Sequence, residues 1–255
     1  MCHKHVSAWT VALPVVALAL GLTAALGDDE RVTLDTDPNL AGWWTFDETS
    51  GTLAADSSQH ERNGTLLGGL SFDEDSMAGR AGKAIRFDGK DARIEIRGYK
   101  GVTGTQPRTV SAWIKTAATR GEIVSWGTQD FGQMFIFGHI RGRIGITPSG
   151  GYFYMNPETD DDEWHHVAVV LQDAELPNLH DDVTLYLDGV EAEIHDIGLL
   201  DLWPIQTGDD LDVRIGRRFN GLLDDLRIYD RALAENEIKA LFELKSNRPL
   251  TSSQQ

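Results

Sequence analysis

GLLDDLRIYDRAL, residues 221–233, is the stretch on which the fold turns. Its apolar residues are spaced for a β-strand, yet Asp224 and Asp225 stand side by side within it. Side chains alternate across a strand with a period of two. Regular alternation therefore puts Leu222, Asp224, Leu226 and Ile228 on one face and Asp225, Arg227 and Tyr229 on the other. Asp225 then has Arg227 as a partner. Asp224 is left among three aliphatic side chains, where an ionised carboxylate is costly unless paired, hydrogen-bonded or metal-bound.

The rest of the chain repeats this strand signal. GWWTF (42–46), KAIRF (83–87), RTVSAWIKT (108–116), WHHVAVVLQ (164–172) and LDVRIG (211–216) are short β runs, separated by the turn dipeptides Asp88-Gly89, Ser149-Gly150 and Asn220-Gly221. VTLYLDGVEAEI (183–194) predicts a hairpin closed by Asp188-Gly189. HVAVVL (166–171) is apolar on both faces, which predicts a central strand covered on both sides. One helix is predicted, ALAENEIKALFELKS (232–246), with Ile238, Leu241 and Phe242 at helical spacing. Many strands and a single short C-terminal helix predict an all-β, two-sheet antiparallel sandwich.

Residues 1–27 read as a secretory signal peptide: a weakly basic start, an uncharged apolar run from Thr10 and small residues before Asp28. Residues 28–40 read as a polar linker, 41–245 as one domain and 246–255 as a disordered tail. The expected location is secreted, or in the cell envelope or periplasm, with no stable membrane insertion after cleavage. Cys2 is the one cysteine of the 255 residues, so no disulfide framework is expected. The net charge of −17 argues against nucleic acid as a partner and suits divalent cations.

The ordered set GWWTFDETSGTLAADSS, GKAIRFDGKDARIEI, RTVSAWIKT, DEWHHVAVV, VTLYLDGVEA and GLLDDLRIYDRALAENEIKALF resembles the laminin-G-like jelly rolls of the concanavalin A-like lectin and glucanase superfamily. The resemblance runs from about Gly42 to Leu244 and implies one concave and one convex sheet. It also implies a structural Ca2+ bound by the last-strand aspartate, a first-strand acid and a turn carbonyl. Carried onto this chain these are Asp224, Asp47 and Gly89, with Asp56 as a further ligand. Ala234 departs from the family pattern, which has Ser or Thr there as the cap of the last helix.

Two chemistries follow from the resemblance. A lectin-like site stacks sugars on exposed aromatics, and Tyr152, Tyr154 and Trp203, all expected in loops, are the ligand-binding candidates. The expected partner is a glycan or a cell-surface protein. A laminarinase-like glycoside hydrolase is the alternative, because ETDDDE (158–163) matches the E-x-D-x-x-E spacing of that class. Pro157 and four consecutive acids make the segment read as a solvated loop. An adhesion protein without a sugar site is the other alternative. His165 and His166 point to opposite faces of one strand and cannot share a metal. The expected function is a secreted, non-catalytic binding module.

Overall fold

The computed structural model describes residues 34–198 and 202–243; the expected leader and tail lie outside them. Seventeen strands run in chain order: β1 Leu40–Trp44, β2 Leu53–Ala54, β3 Gly64–Leu67, β4 Ser76–Ala78, β5 Lys83–Asp88, β6 Arg93–Ile96, β7 Arg108–Lys115, β8 Arg120–Gly127, β9 Met134–Ile140, β10 Arg143–Thr147, β11 Tyr152–Met155, β12 Trp164–Leu171, β13 Val183–Leu187, β14 Val190–Glu191, β15 Ile194–Gly198, β16 Leu211–Ile215 and β17 Asn220–Tyr229. Three helices are described: α1 Phe72–Asp75, α2 Leu179–Asp182 and α3 Glu235–Phe242. Only α3 is foreshadowed by periodicity; α1 and α2 are single four-residue turns, too short for a 3.6-residue pattern to register.

The strands form two antiparallel sheets. The first is ordered β14-β13-β12-β7-β17-β5-β4, with β1 on the second half of β17; the second is ordered β15-β11-β10-β9-β8-β16-β6-β3-β2. The main core lies between them. Val110, Ala112 and Ile114 of β7, with Val167, Val169 and Leu171 of β12, face Ile94, Phe135, Phe137 and Ile215 of the opposing sheet. The alternation expected for β7, β12 and β13 therefore holds. The β13–β14 hairpin turns on Asp188 and Gly189, with φ of 50° and 79°, the left-handed pair that a two-residue turn requires.

A second apolar layer covers the outer face of the first sheet. Trp43, Ala168, Val170, Tyr186 and Tyr229 pack there with Ile238 and Leu241 of α3 and with Leu34 and Leu40. Phe242 stacks on Trp113 at 5.6 Å. This corrects the linker expected over 28–40. Its described part, from Leu34 onward, is docked on the sheet. Asp35 pairs with the buried Arg227, and Asp37 with Arg231 at 2.5 Å. The polar composition of this segment conceals two apolar anchors and two carboxylates aimed at arginines.

Helix α3 starts with half of a capping box. Glu237 accepts the Ala234 N–H at 2.8 Å, but the Ala234 methyl offers nothing to the first-turn amides. Arg231 holds Glu237 in place. Ala234 already has the extended backbone of an N-cap, with φ −74° and ψ 160°. Ala234→Ser is therefore expected to stabilise the protein by about 1 kcal/mol, read as a raised urea midpoint. An unchanged midpoint would show that the first-turn amides gain nothing from a cap.

Candidate functional site

The two aspartates of β17 do not obey simple alternation. Asp224 pairs with Trp113 and Arg227 with Ser111, so Asp225 and Leu226 together face Ala112. This is a one-residue bulge, with Asp225 in the left-handed region at φ 49°. It shifts the parity of everything after it. Leu223, Leu226 and Ile228 enter the core, whereas both carboxylates lie on the outer side of the sheet. The expected separation of Asp224 and Asp225 onto opposite faces is thus corrected. Asp225 accepts from the Trp43 indole and pairs with Arg227.

Asp224 is fully buried. Its Oδ2 accepts the N–H groups of Arg80 at 2.7 Å and Ala81 at 2.9 Å, while its Oδ1 is buried without a partner. Burial pushes its carboxyl up to about 8; the two amides pull it down, and Asp225 and Asp47 push it up further. Asp47 Oδ1 accepts the Lys83 N–H at 2.8 Å. Asp224 and Asp47 therefore grip the same turn, residues 79–83. The other two expected calcium ligands lie elsewhere. Gly89 sits beyond the Asp88–Asn220 pair at the far end of β5, roughly 15 Å along the strand. Asp56 caps a separate turn, accepting from the N–H groups of Trp43, Ser58 and Arg62. Among the described residues no three His, Cys, Asp or Glu side chains converge as a metal-binding group.

The second sheet presents a different surface. Glu122, Gly138, Gly145, Tyr154 and Asp196 are successive cross-strand partners on β8, β9, β10, β11 and β15. Their neighbours Phe137, Ile144, Ile146, Phe153 and Met155 point into the core, so the row faces outward. Two adjacent buried glycines occupy its middle, where neighbouring backbone leaves no room for a side chain. A Cβ on Gly138 would lie 2.2 Å from the Gly121 carbonyl, and one on Gly145 would lie 2.4 Å from that of Phe153. The result is a groove of about 220 Å³ lined by Arg120, Glu122, Ile136, Thr147 and Arg218 around this glycine floor. Glu122 is fixed by an ion pair with Arg217 and by the Ser125 hydroxyl at 2.6 Å.

Beyond the floor lie the expected tyrosines. They are not in a loop: their strand β11 pairs with β10 through Tyr154 and Phe153 and with β15 along its length. Their rings are 5.6 Å apart, and both hydroxyls reach Asp196 Oδ2 at 3.3 Å. Asp196 raises the Tyr152 pKa. Tyr154 is buried, stacked against His195 at 5.4 Å, whereas Tyr152 is half-buried and offers an accessible ring. Trp203 is exposed in a loop, as expected, and its loop bonds to the 132–133 turn that leads into β9, beside the exposed Phe131 and at the Tyr152 end of the sheet, where Ile136 pairs with Thr147. The structure joins Tyr152 to Tyr154 through their rings and through Asp196. Glu122, Gly138, Gly145 and Arg218 escaped sequence reading, because a cross-strand row is set by register, which spacing along one strand does not reveal.

The acidic run 158–163 is a loop, with Glu158 exposed and paired to Arg143 at 2.9 Å. His166 is buried under α3, and burial lowers its pKa to about 4. His165 bridges Asp188 at 3.0 Å and Asp161 at 3.2 Å.

A laminin-G family model, described as the concanavalin A-like lectin/glucanases superfamily, matches residues 88–239, and the chain belongs to that family. Among solved structures it is similar to domain 4 of AbnA, a GH43 extracellular arabinanase from Geobacillus stearothermophilus in complex with arabinotriose. That match has a TM-score of 0.59 and 21% identity, covering 80% of this chain and 98% of that one. The binding domain of Paraclostridial Mosquitocidal Protein 1 matches with a TM-score of 0.55 and 17% identity, over 80% of this chain and 52% of that one. A Trypanosoma rangeli sialidase matches at 0.54 and 12%, over 80% and 32%. At these identities the likeness is one of fold. No curated protein sequence matches. No helix among the described residues is long and apolar enough to cross a membrane.

The Asp224 geometry sets a pH dependence. The unfolded carboxyl ionises near 3.8, while the folded one keeps its proton up to about 8. Between these values the native state binds more protons than the unfolded state, so stability falls as pH rises. Thermal melts in chelator from pH 4 to 8 should show this fall. Asp224→Asn, whose carbonyl can still accept both turn amides, should flatten it. Parallel curves for the two proteins would show that Asp224 is ionised in the fold.

Proposed function

We propose that this protein is a secreted, non-catalytic carbohydrate-binding module, and that a glycan chain lies across the outer face of the second sheet. The observation that carries this reading is the glycine-floored groove on the row Glu122–Gly138–Gly145–Tyr154–Asp196. With no side chains on its glycine floor, the groove leaves room for a sugar ring between its polar walls. The flanking Glu122, Arg120, Thr147 and Asp196 supply donors and acceptors for hydroxyl groups, and Tyr152 supplies an aromatic face. The similarity to a domain crystallised with arabinotriose supports a glycan as the ligand.

The reading includes a structural Ca2+, and two features support it. The buried Asp224 Oδ1 has no partner, and Asp47 grips the same turn. Calcium takes six to eight oxygens, so these two carboxylates would need carbonyls or waters to complete the shell. Bound there, the ion would stand in for the proton of Asp224 and pin the 79–83 turn. Chelator should lower the melting temperature and added calcium restore it; a melt indifferent to both would remove the metal from the reading.

Titration of neutral and acidic oligosaccharides by calorimetry tests the glycan site. Tyr152→Ala should weaken binding about tenfold through loss of ring contact, with little change in melting temperature because Tyr152 is only half-buried. Wild-type affinity in that variant would move the site off this face. Turnover of any saccharide during the titration would replace the binding module with a hydrolase.

A further inference from the structure

We infer that the glycan is acidic, and that an isolated carboxylate on it is read by a cationic pocket at the β6–β16 end of the same face. This inference rests on the glycan reading and names the ligand's chemical class. The pocket holds about 320 Å³ and is lined by Lys90, Asp91, Arg93, Arg214, Arg217 and Arg218. Such a gathering of cations stands out in a chain of net charge −17.

The surrounding bonds leave most of that charge unspent. Arg217 is paired with Glu122, and Arg93 donates to the Asp91 carbonyl at 3.2 Å. Lys90, Arg214 and Arg218 make no ion pair among the described residues, and Arg214 Nε is buried without any partner. The carboxylates nearby are Asp91, Glu122 and Glu95, the cross-strand partner of Arg214. Asp88 is occupied in closing the turn that carries Lys90, accepting the Lys90 and Ala92 N–H groups. Arg218 is held at φ 56°, a left-handed conformation costly for a long side chain.

Arg218 lines both this pocket and the glycine-floored groove. One chain can therefore place neutral sugars over Gly138 and Gly145 and an acidic group among the guanidinium groups. The planar fork of arginine matches a carboxylate in bidentate fashion. The cation excess is small and local, while the protein as a whole is strongly negative. A densely charged polyanion would be repelled, whereas a single uronate between neutral sugars would not.

The test is calorimetric titration with uronate-bearing oligosaccharides of xylan, pectin and hyaluronan type, each beside its carboxyl-reduced neutral counterpart. Wild type should prefer the acid form of at least one pair by about tenfold, and the preference should shrink between low and high salt. Arg214→Gln and Arg218→Asn should each bring the acid-to-neutral ratio close to one. Arg218→Asn suits the left-handed backbone and keeps the test valid if Arg214→Gln folds poorly. Equal binding of every acid and reduced pair by wild type overturns the inference and leaves the glycan reading standing. Binding of none of these saccharides overturns both. Tighter binding of heparin or duplex DNA than of any uronate overturns the inference in favour of a general polyanion site.

Discussion

The bulge at Asp224–Asp225 is the constraint on which the rest of the fold hangs. β17 pairs with β7 along its length, with β5 through its first half and with β1 through its second. The extra residue between the halves changes which side chains enter the core. Without it, Leu226 and Ile228 would leave the core and Arg227 and Tyr229 would enter it. The energetic cost of such a slip is severe, since a guanidinium would lose its carboxylates to apolar surroundings. The bulge places Arg227 on the outer side instead. There its guanidinium lies 4.0 Å over Trp43 and pairs with Asp35 and Asp225. Asp224, the last residue before the kink, grips the 79–83 turn of the β4–β5 hairpin, and Arg227 just after it holds the docked segment before β1.

This explains which parts of the molecule were legible in the sequence. The apolar alternation of β7, β12 and β13 and the Asp188-Gly189 turn are local, and each was readable from a few neighbouring residues. So was helix α3, whose buried stripe repeats at three and four residues. The β17 bulge was not readable, because Asp225 in the left-handed region looks identical to Asp225 in a strand until the register with Ala112 is known. Gly89 illustrates the limit of transferring a ligand by motif. It opens the expected turn, but the ladder from Asp88 to Ile85 carries it away from Asp224. The segment Tyr152–Met155 failed for another reason: Gly150, Gly151 and Pro157 around it signal loop, and pairing on both sides overrides that signal.

The two outer faces of the sandwich differ in what covers them. That of the first sheet is sealed by α3, by Leu34 and Leu40 and by the arginine pairs of Arg227 and Arg231. That of the second sheet carries polar side chains and a glycine row. Loop geometry follows the same division. Arg108 is fully buried without a carboxylate, donating instead to the carbonyls of Val102, Gly104 and Gln106 and to the Thr207 hydroxyl. Burial lowers its pKa to about 9. A buried cation satisfied by carbonyls is a clamp on backbone, and it stiffens the β6–β7 loop at the end of the molecule opposite Arg218.

Membership of the lectin and glucanase superfamily fixes the sandwich and leaves its use open, since one fold hosts many sites. The decision then falls on what the exposed sheet can hold. A hydrolase of this kind needs two carboxyls about 5–5.5 Å apart, or farther with room for a water. The two carboxylates of the outward row, Glu122 and Asp196, occupy opposite ends of it, with three strands between them. Glu122 is already neutralised by Arg217, and Asp196 is shared by two tyrosine hydroxyls. Side chains so engaged suit fixed hydrogen-bonding posts better than a proton donor and its nucleophile. In the proposed reading, this row of anchored posts around the glycine floor would hold a chain of hydroxyl-bearing rings in place.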